Sequence, residues 1–137
     1  MRYYAILDTN VLVSALLRSS SIPGQVAMEA LIGDIVPVVN DEIIREYENV
    51  LHRPKFHFDP QTVDVFLEDL KLRAMYVAAD MLQEDFADQK DIVFYAVLME
   101  TRKEDDAYLV TGNLKHFPVR PFIVSPREML EIMGKSD

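Results

Sequence analysis

The sequence contains no cysteine in its 137 residues. The chain can therefore form neither a disulfide framework nor a thiolate metal site, and no redox compartment can be inferred. No apolar run approaches the roughly 18 residues that a membrane-spanning helix requires. The first residues enter a strand-like run and lack the pattern of a signal peptide, which predicts a cytoplasmic protein.

Basic residues are also few, because 14 lysines and arginines stand against 23 acidic residues and give a net charge of −9. This balance argues against a protein that coats duplex nucleic acid, which needs clustered Lys and Arg. It does not exclude a nuclease, because carboxylates that bind divalent cations count as negative in the formal sum.

The chain has no repeat, low-complexity tract or linker, and its length suits one domain. We predict a single domain over residues 1–133. The last four residues, Gly134 to Asp137, contain no apolar side chain, which predicts a disordered tail over 134–137.

Short apolar segments alternate with segments of helical periodicity along the chain. This alternation predicts βαβ units and a parallel sheet between helical layers, an α/β fold. Strands are predicted at residues 3–8, 35–39, 77–79, 107–111 and 122–124. Helices are predicted at 11–17, 23–33, 41–52 and 88–103, with two more that begin near 59 and 125.

Active sites in such folds form beyond the carboxyl ends of the strands. Asp8 ends the first predicted strand, and Thr111-Gly112-Asn113 follows the strand at 107–111. The purely structural interpretation of Asp8 is a helix N-cap, a position at which Asp is common. Thr9 and Asn10 could supply that cap instead, so function and capping stay equally open from position alone.

Two further acids allow both a structural and a functional interpretation. Glu46 lies at the margin of the apolar face formed by Ile43, Tyr47 and Val50, where a carboxylate is costly unless it is paired or binds a cation. A salt bridge would satisfy it equally well. Asp91 lies in the first turn of a very apolar helix, where the helix dipole favours an acid. Asp88 is the better candidate for that helix cap, which leaves Asp91 free to face the end of the sheet.

Taken together, Asp8, Glu46 and Asp91 can converge on one edge of the sheet. Clustered carboxylates raise one another's pKa unless a cation neutralises them. Hard oxygen ligands, with no cysteine and no paired histidine motif, indicate Mg²⁺ or Mn²⁺ rather than Zn²⁺. Beside this site, Lys115 and His116 could contact the phosphates of a nucleic acid, as could Arg53 and Lys55.

The chain resembles the PIN-domain family in the order and spacing of four segments, at residues 7–16 (LDTNVLVSAL), 45–47 (REY), 88–91 (DQKD) and 108–113 (YLVTGN). It is most similar to the branch of toxin components of toxin–antitoxin systems, whose members often end in a segment like residues 125–128 (SPRE). The resemblance implies a three-layer α/β/α fold on a five-stranded, mainly parallel sheet. It also implies an Mg²⁺- or Mn²⁺-dependent ribonuclease that cleaves single-stranded RNA, a possible antitoxin partner and a homodimer.

The resemblance assigns roles to individual residues. Asp8, Glu46 and Asp91 match the family's acidic positions and would be the metal ligands. The fourth catalytic position, often Asp, is Asn113 here, which can ligate through its amide oxygen but carries no charge. Thr9, Asn10 and Thr111 would orient the ligands through hydrogen bonds.

Two other classes of protein compete with the nuclease. A catalytically reduced PIN-like module that binds RNA or a protein partner is favoured by Asn113. A phosphatase-like hydrolase also places a nucleophilic Asp at the end of a strand. Its Asp-x-Asp pattern is missing, because position 10 is Asn.

Overall fold

The computed structural model describes residues 2–80 and 89–135. Five parallel strands form one sheet in the order β3-β2-β1-β4-β5. Helices cover both faces, so the predicted three-layer α/β/α fold is confirmed. The strands are β1 Tyr3–Leu7, β2 Ile35–Val39, β3 Met75–Tyr76, β4 Ala107–Val110 and β5 Ile123–Val124. The helices are α1 Thr9–Leu17, α2 Ile22–Ile32, α3 Asp41–Leu51, α4 Pro60–Arg73, α5 Gln89–Thr101 and α6 Pro126–Ile132, with single 3-10 turns at Pro54–Phe56 and Leu114–His116.

The strand order reverses between β1 and β4. From β1 the chain adds β2 and β3 on one side, then crosses to add β4 and β5 on the other. Leu7 and Val110, the last residues of β1 and β4, pair with each other. The residues that follow these two strands are therefore neighbours, at the point of an open parallel sheet where binding crevices form.

Burial explains why these segments form a central sheet. Every residue of β2 is buried, and so are Ala5, Ile6 and Leu7 of β1. A strand covered on both faces is expected to be continuously apolar, as these are. The predicted all-round burial of α5 is confirmed, because residues 92–98 are all buried.

Two predicted boundaries were wrong. The strand predicted at 77–79 is β3 at Met75–Tyr76, because α4 ends at Arg73 and the chain reaches β2 at once, pairing Val38 with Met75. Helix α1 begins at Thr9, so Asp8 rather than Thr9 or Asn10 occupies the N-cap position, although its side chain makes no capping hydrogen bond. The predicted cap at Asp88 lies outside the described residues.

Other predicted caps are confirmed. The Asn40 side chain accepts a hydrogen bond from the Ile43 amide and starts α3, while Ser125 and Glu128 form a capping box at α6.

Near the C-terminus, Lys135 Nζ lies 3.4 Å from Glu29 Oε2. The disordered tail and the domain limit at 133 stay predictions, since residues 136–137 are outside the described ranges. Over those ranges no helix combines the length and apolar character needed to cross a bilayer.

His52, at the end of α3, joins this helix to α4. Its Nδ1 lies 2.7 Å from the Glu48 carbonyl oxygen, and its Nε2 lies 2.9 Å from Asp64 Oδ1. Both partners only accept hydrogen bonds, so satisfying both requires the doubly protonated ring. The hydrogen bond to the Glu48 carbonyl, followed by the interaction with Asp64, raises the pKa of His52.

We predict that His52 stabilises the fold in a pH-dependent way. Because its pKa is raised on folding, its contribution is complete below about pH 6.5, the unfolded value, and is lost as pH rises through the folded pKa. His52→Gln should therefore remove about 0.5 kcal/mol of the wild-type difference in unfolding free energy between pH 6 and pH 8.5, a modest figure because the pair is exposed. Urea titrations at both pH values measure it, with His57→Gln as the control. Identical pH slopes for wild type and His52→Gln would contradict it.

Candidate functional site

Asp8 stands directly after β1 and is fixed at the junction with β4. Its amide donates a hydrogen bond to the Val110 carbonyl oxygen at 2.9 Å. Its carboxylate oxygen Oδ2 accepts two hydrogen bonds, from Thr111 Oγ1 at 2.7 Å and from Asn10 Nδ2 at 3.1 Å. The side chain is buried. Both hydrogen bonds hold one oxygen, so the carboxylate has a defined orientation.

The loop after β4 is tied to the same carboxylate. Thr111 is fully buried, and its Oγ1 accepts the Asn113 amide at 3.0 Å while donating to Asp8. Asn10 Oδ1 accepts the Gly112 amide at 3.1 Å. A carboxylate only accepts and an amide N–H only donates, so these two partners determine which way the Asn10 side chain points. Asn10 and Thr111 thus link the two loops through Asp8.

Burial dominates the electrostatics of Asp8. Desolvation raises the pKa of Asp8, and this outweighs the hydrogen bonds from Thr111, Thr9 and Asn10 and the charge of His116, which all lower it. The ionised carboxylate is therefore less stable here than in water. A positive charge at this position would relieve that cost.

Asp91 lies in the first turn of α5 and is also buried. Nδ1 of His116, in the 3-10 turn after Asn113, lies 3.4 Å from Asp91 Oδ2. The same imidazole interacts electrostatically with Asp8. His116 was predicted to contact RNA phosphates, and the structure places it against the acids. The imidazole of His116 is therefore a neighbour that both buried carboxylates interact with.

Glu46 is half-buried on α3, and its side chain makes no hydrogen bond or ion pair within the described residues. In residues 2–80 and 89–135, no three His, Asp or Glu side chains form a group that could hold a metal ion. The structure thus brings together Asp8, Asn10, Thr111 and the Asn113 backbone. Asp91 is related to them through His116, which lies against Asp91 and interacts electrostatically with Asp8. Within the described residues, no hydrogen bond or ion pair links Glu46 to them.

The remaining predicted residues surround this centre. Asn113 and Lys115 are exposed, and the Asn113 side chain does not cap the 3-10 turn that follows it. Thr9 Oγ1 is buried without a hydrogen-bond partner in the described part of the chain. A buried hydroxyl without a partner is costly, so this group next to Asp8 is suited to a partner that binds there.

The sequence interpretation missed Tyr47. It was assigned to the apolar face of α3, but its hydroxyl donates a 2.6 Å hydrogen bond to the Leu7 carbonyl oxygen, one residue before Asp8. Burial, with a smaller effect of the Asp8 charge, raises the pKa of Tyr47, so the hydroxyl remains protonated and a donor. The available signal was the residue type, because a buried tyrosine usually needs a partner for its hydroxyl.

A family model described as PIN domain matches residues 4–115, most of the chain. The chain belongs to the PIN-domain family, whose members are in general metal-dependent nucleases. No curated protein matches the sequence.

The site suits the metal ion that the family implies. Mg²⁺ and Mn²⁺ prefer oxygen ligands, and Mg²⁺ is commonly held by one or two carboxylates while keeping several waters. Asp8 and Asp91 supply two such carboxylates, and Asp8 retains an oxygen, Oδ1, beyond the one used by Thr111 and Asn10. The raised pKa of Asp8 adds to the fit, because a bound cation would favour its ionised form.

We predict that Asp8→Asn stabilises the metal-free protein. The pKa of Asp8 is raised on folding, so its ionisation reduces stability as pH climbs from about 4, the unfolded value, through the folded pKa. The neutral amide avoids this cost and keeps an oxygen for Thr111. The melting temperature at pH 7.5 in EDTA should rise by about 2–6 °C, given about 4 °C per kcal/mol for a chain of this size.

Calorimetry at pH 7.5 and pH 4 measures this effect. The advantage of the variant should shrink at pH 4, where Asp8 binds a proton in the folded protein. A variant that melts below wild type at pH 7.5 would show that the carboxylate stabilises the fold.

Proposed function

We propose that this chain is an Mg²⁺- or Mn²⁺-dependent ribonuclease that cleaves phosphodiester bonds in single-stranded RNA. The observation that supports it most is that two acids are buried in a PIN domain, Asp8 directly after β1 at the switch point of the sheet and Asp91 in the first turn of α5. Structural carboxylates are rarely buried unless they are paired, and here one imidazole lies against Asp91 and interacts electrostatically with Asp8.

In the proposed mechanism, Asp8 and Asp91 hold the ion, directly or through water. The bound ion would activate water and polarise the phosphate, which favours in-line attack and a 5′-phosphate product. Thr111 and Asn10 keep Asp8 in one orientation. Glu46, half-buried on α3, helps to position the ion or accepts a proton from the attacking water.

Residues after β4 are proposed to meet the RNA. Asn113 lies at the mouth of the site and offers its amide oxygen as a neutral ligand or water anchor. Lys115 is exposed beside it and is suited to a backbone phosphate. His116 Nδ1 lies against Asp91, and we propose that ion binding to Asp91 releases this imidazole for a phosphate.

The second candidate function is a catalytically reduced module that binds RNA or a protein. The absence of a third acid beside Asp8 and Asp91 in the described residues favours it. The toxin role, the antitoxin partner, the homodimer and the cytoplasmic location remain predictions from the sequence.

We predict that Asp8→Asn and Asp91→Asn each reduce Mn²⁺-dependent cleavage of single-stranded RNA by a factor of about 100 or more, as expected when a ligand of the activating ion is lost. Asp106→Asn is the matched control: it removes the same charge just before β4, at the opposite edge of the sheet, and should cleave like wild type. Cleavage that survives in both site variants, or that EDTA does not stop, would contradict the proposal.

We also predict that Asn113→Asp tightens Mn²⁺ binding. The attraction between the added unit charge and a divalent ion is about 2 kcal/mol at 4 Å in water-like surroundings, or about 30-fold in affinity. Calorimetric titration measures it, and Asn49→Asp, an exposed position on α3, controls for net charge.

The outcome separates the two candidate functions. A nuclease limited by ion occupancy should cleave faster at low Mn²⁺ when position 113 is Asp. A binding module should show weaker RNA binding and no cleavage. Equal Mn²⁺ affinity in wild type and Asn113→Asp would exclude Asn113 from the site.

A further inference from the structure

Tyr47 contacts or adjoins each segment that carries a candidate acid. Its ring is buried in α3, next to Glu46 in sequence. Its hydroxyl binds the carbonyl of Leu7, the residue before Asp8. Its ring centroid lies 6.3 Å from that of Phe94, which is three residues after Asp91 on α5.

The Leu7 carbonyl depends on this hydroxyl because the strand pairing does not reach it. The N–H of Asp8 points to β4. In a strand, the N–H and C=O groups of successive residues point to opposite sides, so the Leu7 carbonyl points towards β2. On that side the register ends at Ala5 and Pro37. Leu7 therefore lies past the last pair, and Tyr47 supplies the missing donor.

The contact with Phe94 extends the same link to α5. The rings are tilted by 39° within a well-packed core, where atoms transmit small displacements. Phe94 and Asp91 are about one helical turn apart and lie on neighbouring positions of the helix surface. The Tyr47 ring thus lies against the turn of α5 that follows Asp91.

We propose that Tyr47 is a positioning residue that sets the spacing of the segments carrying Asp8, Glu46 and Asp91, and thereby the affinity of the site for a divalent cation. This inference rests on the proposed function. A packing role would need only the ring, whereas the positioning role needs the hydroxyl.

The variant Tyr47→Phe removes the hydroxyl and keeps the ring. Groups that orient metal ligands typically change metal affinity by about 10- to 100-fold when they are lost, and Tyr47 acts at one remove, so we expect about tenfold weaker Mn²⁺ binding. The readout is Mn²⁺ affinity without RNA, measured by electron paramagnetic resonance at a temperature well below melting. In cleavage assays kcat should fall while KM for RNA stays constant, since no RNA contact is removed.

Thr101→Val is the matched control. Thr101 is buried, and its hydroxyl donates to the Val97 carbonyl at 2.7 Å, so the variant also removes one buried hydrogen bond to the main chain. It lies ten residues from Asp91, about 15 Å along α5. We expect it to lower the melting temperature and to leave Mn²⁺ affinity at the wild-type value, because it does not orient a ligand of the ion.

The outcomes distinguish a failure of the positioning role of Tyr47 from a failure of the proposed function. Weaker Mn²⁺ binding in Tyr47→Phe but not in Thr101→Val supports the positioning role. Equal affinities in the two variants overturn it, while wild-type binding and cleavage leave the proposed function standing. A wild-type protein that neither binds Mn²⁺ nor cleaves RNA defeats the proposed function first. If Tyr47→Phe does not fold, Phe94→Leu tests the same link from α5, and unchanged Mn²⁺ affinity there overturns the inference.

Discussion

The candidate site depends on the parallel pairing of β1 with β4. Because Leu7 and Val110 end their strands side by side, the first residue after each strand meets the other, and Thr111 can bind Asp8 from 103 residues away. A slip of one residue in this register would turn Asp8 or Thr111 to the opposite face. The buried apolar faces of both strands oppose such a slip, so hydrophobic packing maintains the polar geometry.

This geometry places the carboxylate of Asp8 where burial disfavours its charged form, which lowers the stability of the fold. The neighbours of Asp8 reduce the cost without removing it: Thr111 and Asn10 donate hydrogen bonds, and His116 adds a nearby cation when it is protonated. Such residual destabilisation is typical of functional sites, where stability is given up for an interaction with a ligand. A divalent ion is the ligand whose charge would reverse it.

Local patterns predicted the layers, the caps at Asn40 and Ser125, and the position of Asp8 at a strand end, since each depends on residues close in sequence. The contacts that give the site its character join distant residues. His116 meets Asp91 across 25 positions, and Tyr47 meets Leu7 across 40. Periodicity assigns a face to a side chain but not a partner, which is why Tyr47 was taken for a core residue. The β3 boundary failed for a related reason, because pairing with β2 decided where that strand begins.

The central claim is that Asp8 and Asp91 share one divalent ion. Crystals soaked in MnCl₂ and measured at the manganese absorption edge test it most directly. The account predicts one anomalous peak within coordination distance of both carboxylates, with His116 moved away from Asp91. A peak only at other acids, such as those of residues 104–106, or no peak at Asp8 and Asp91 at saturating Mn²⁺, would contradict it.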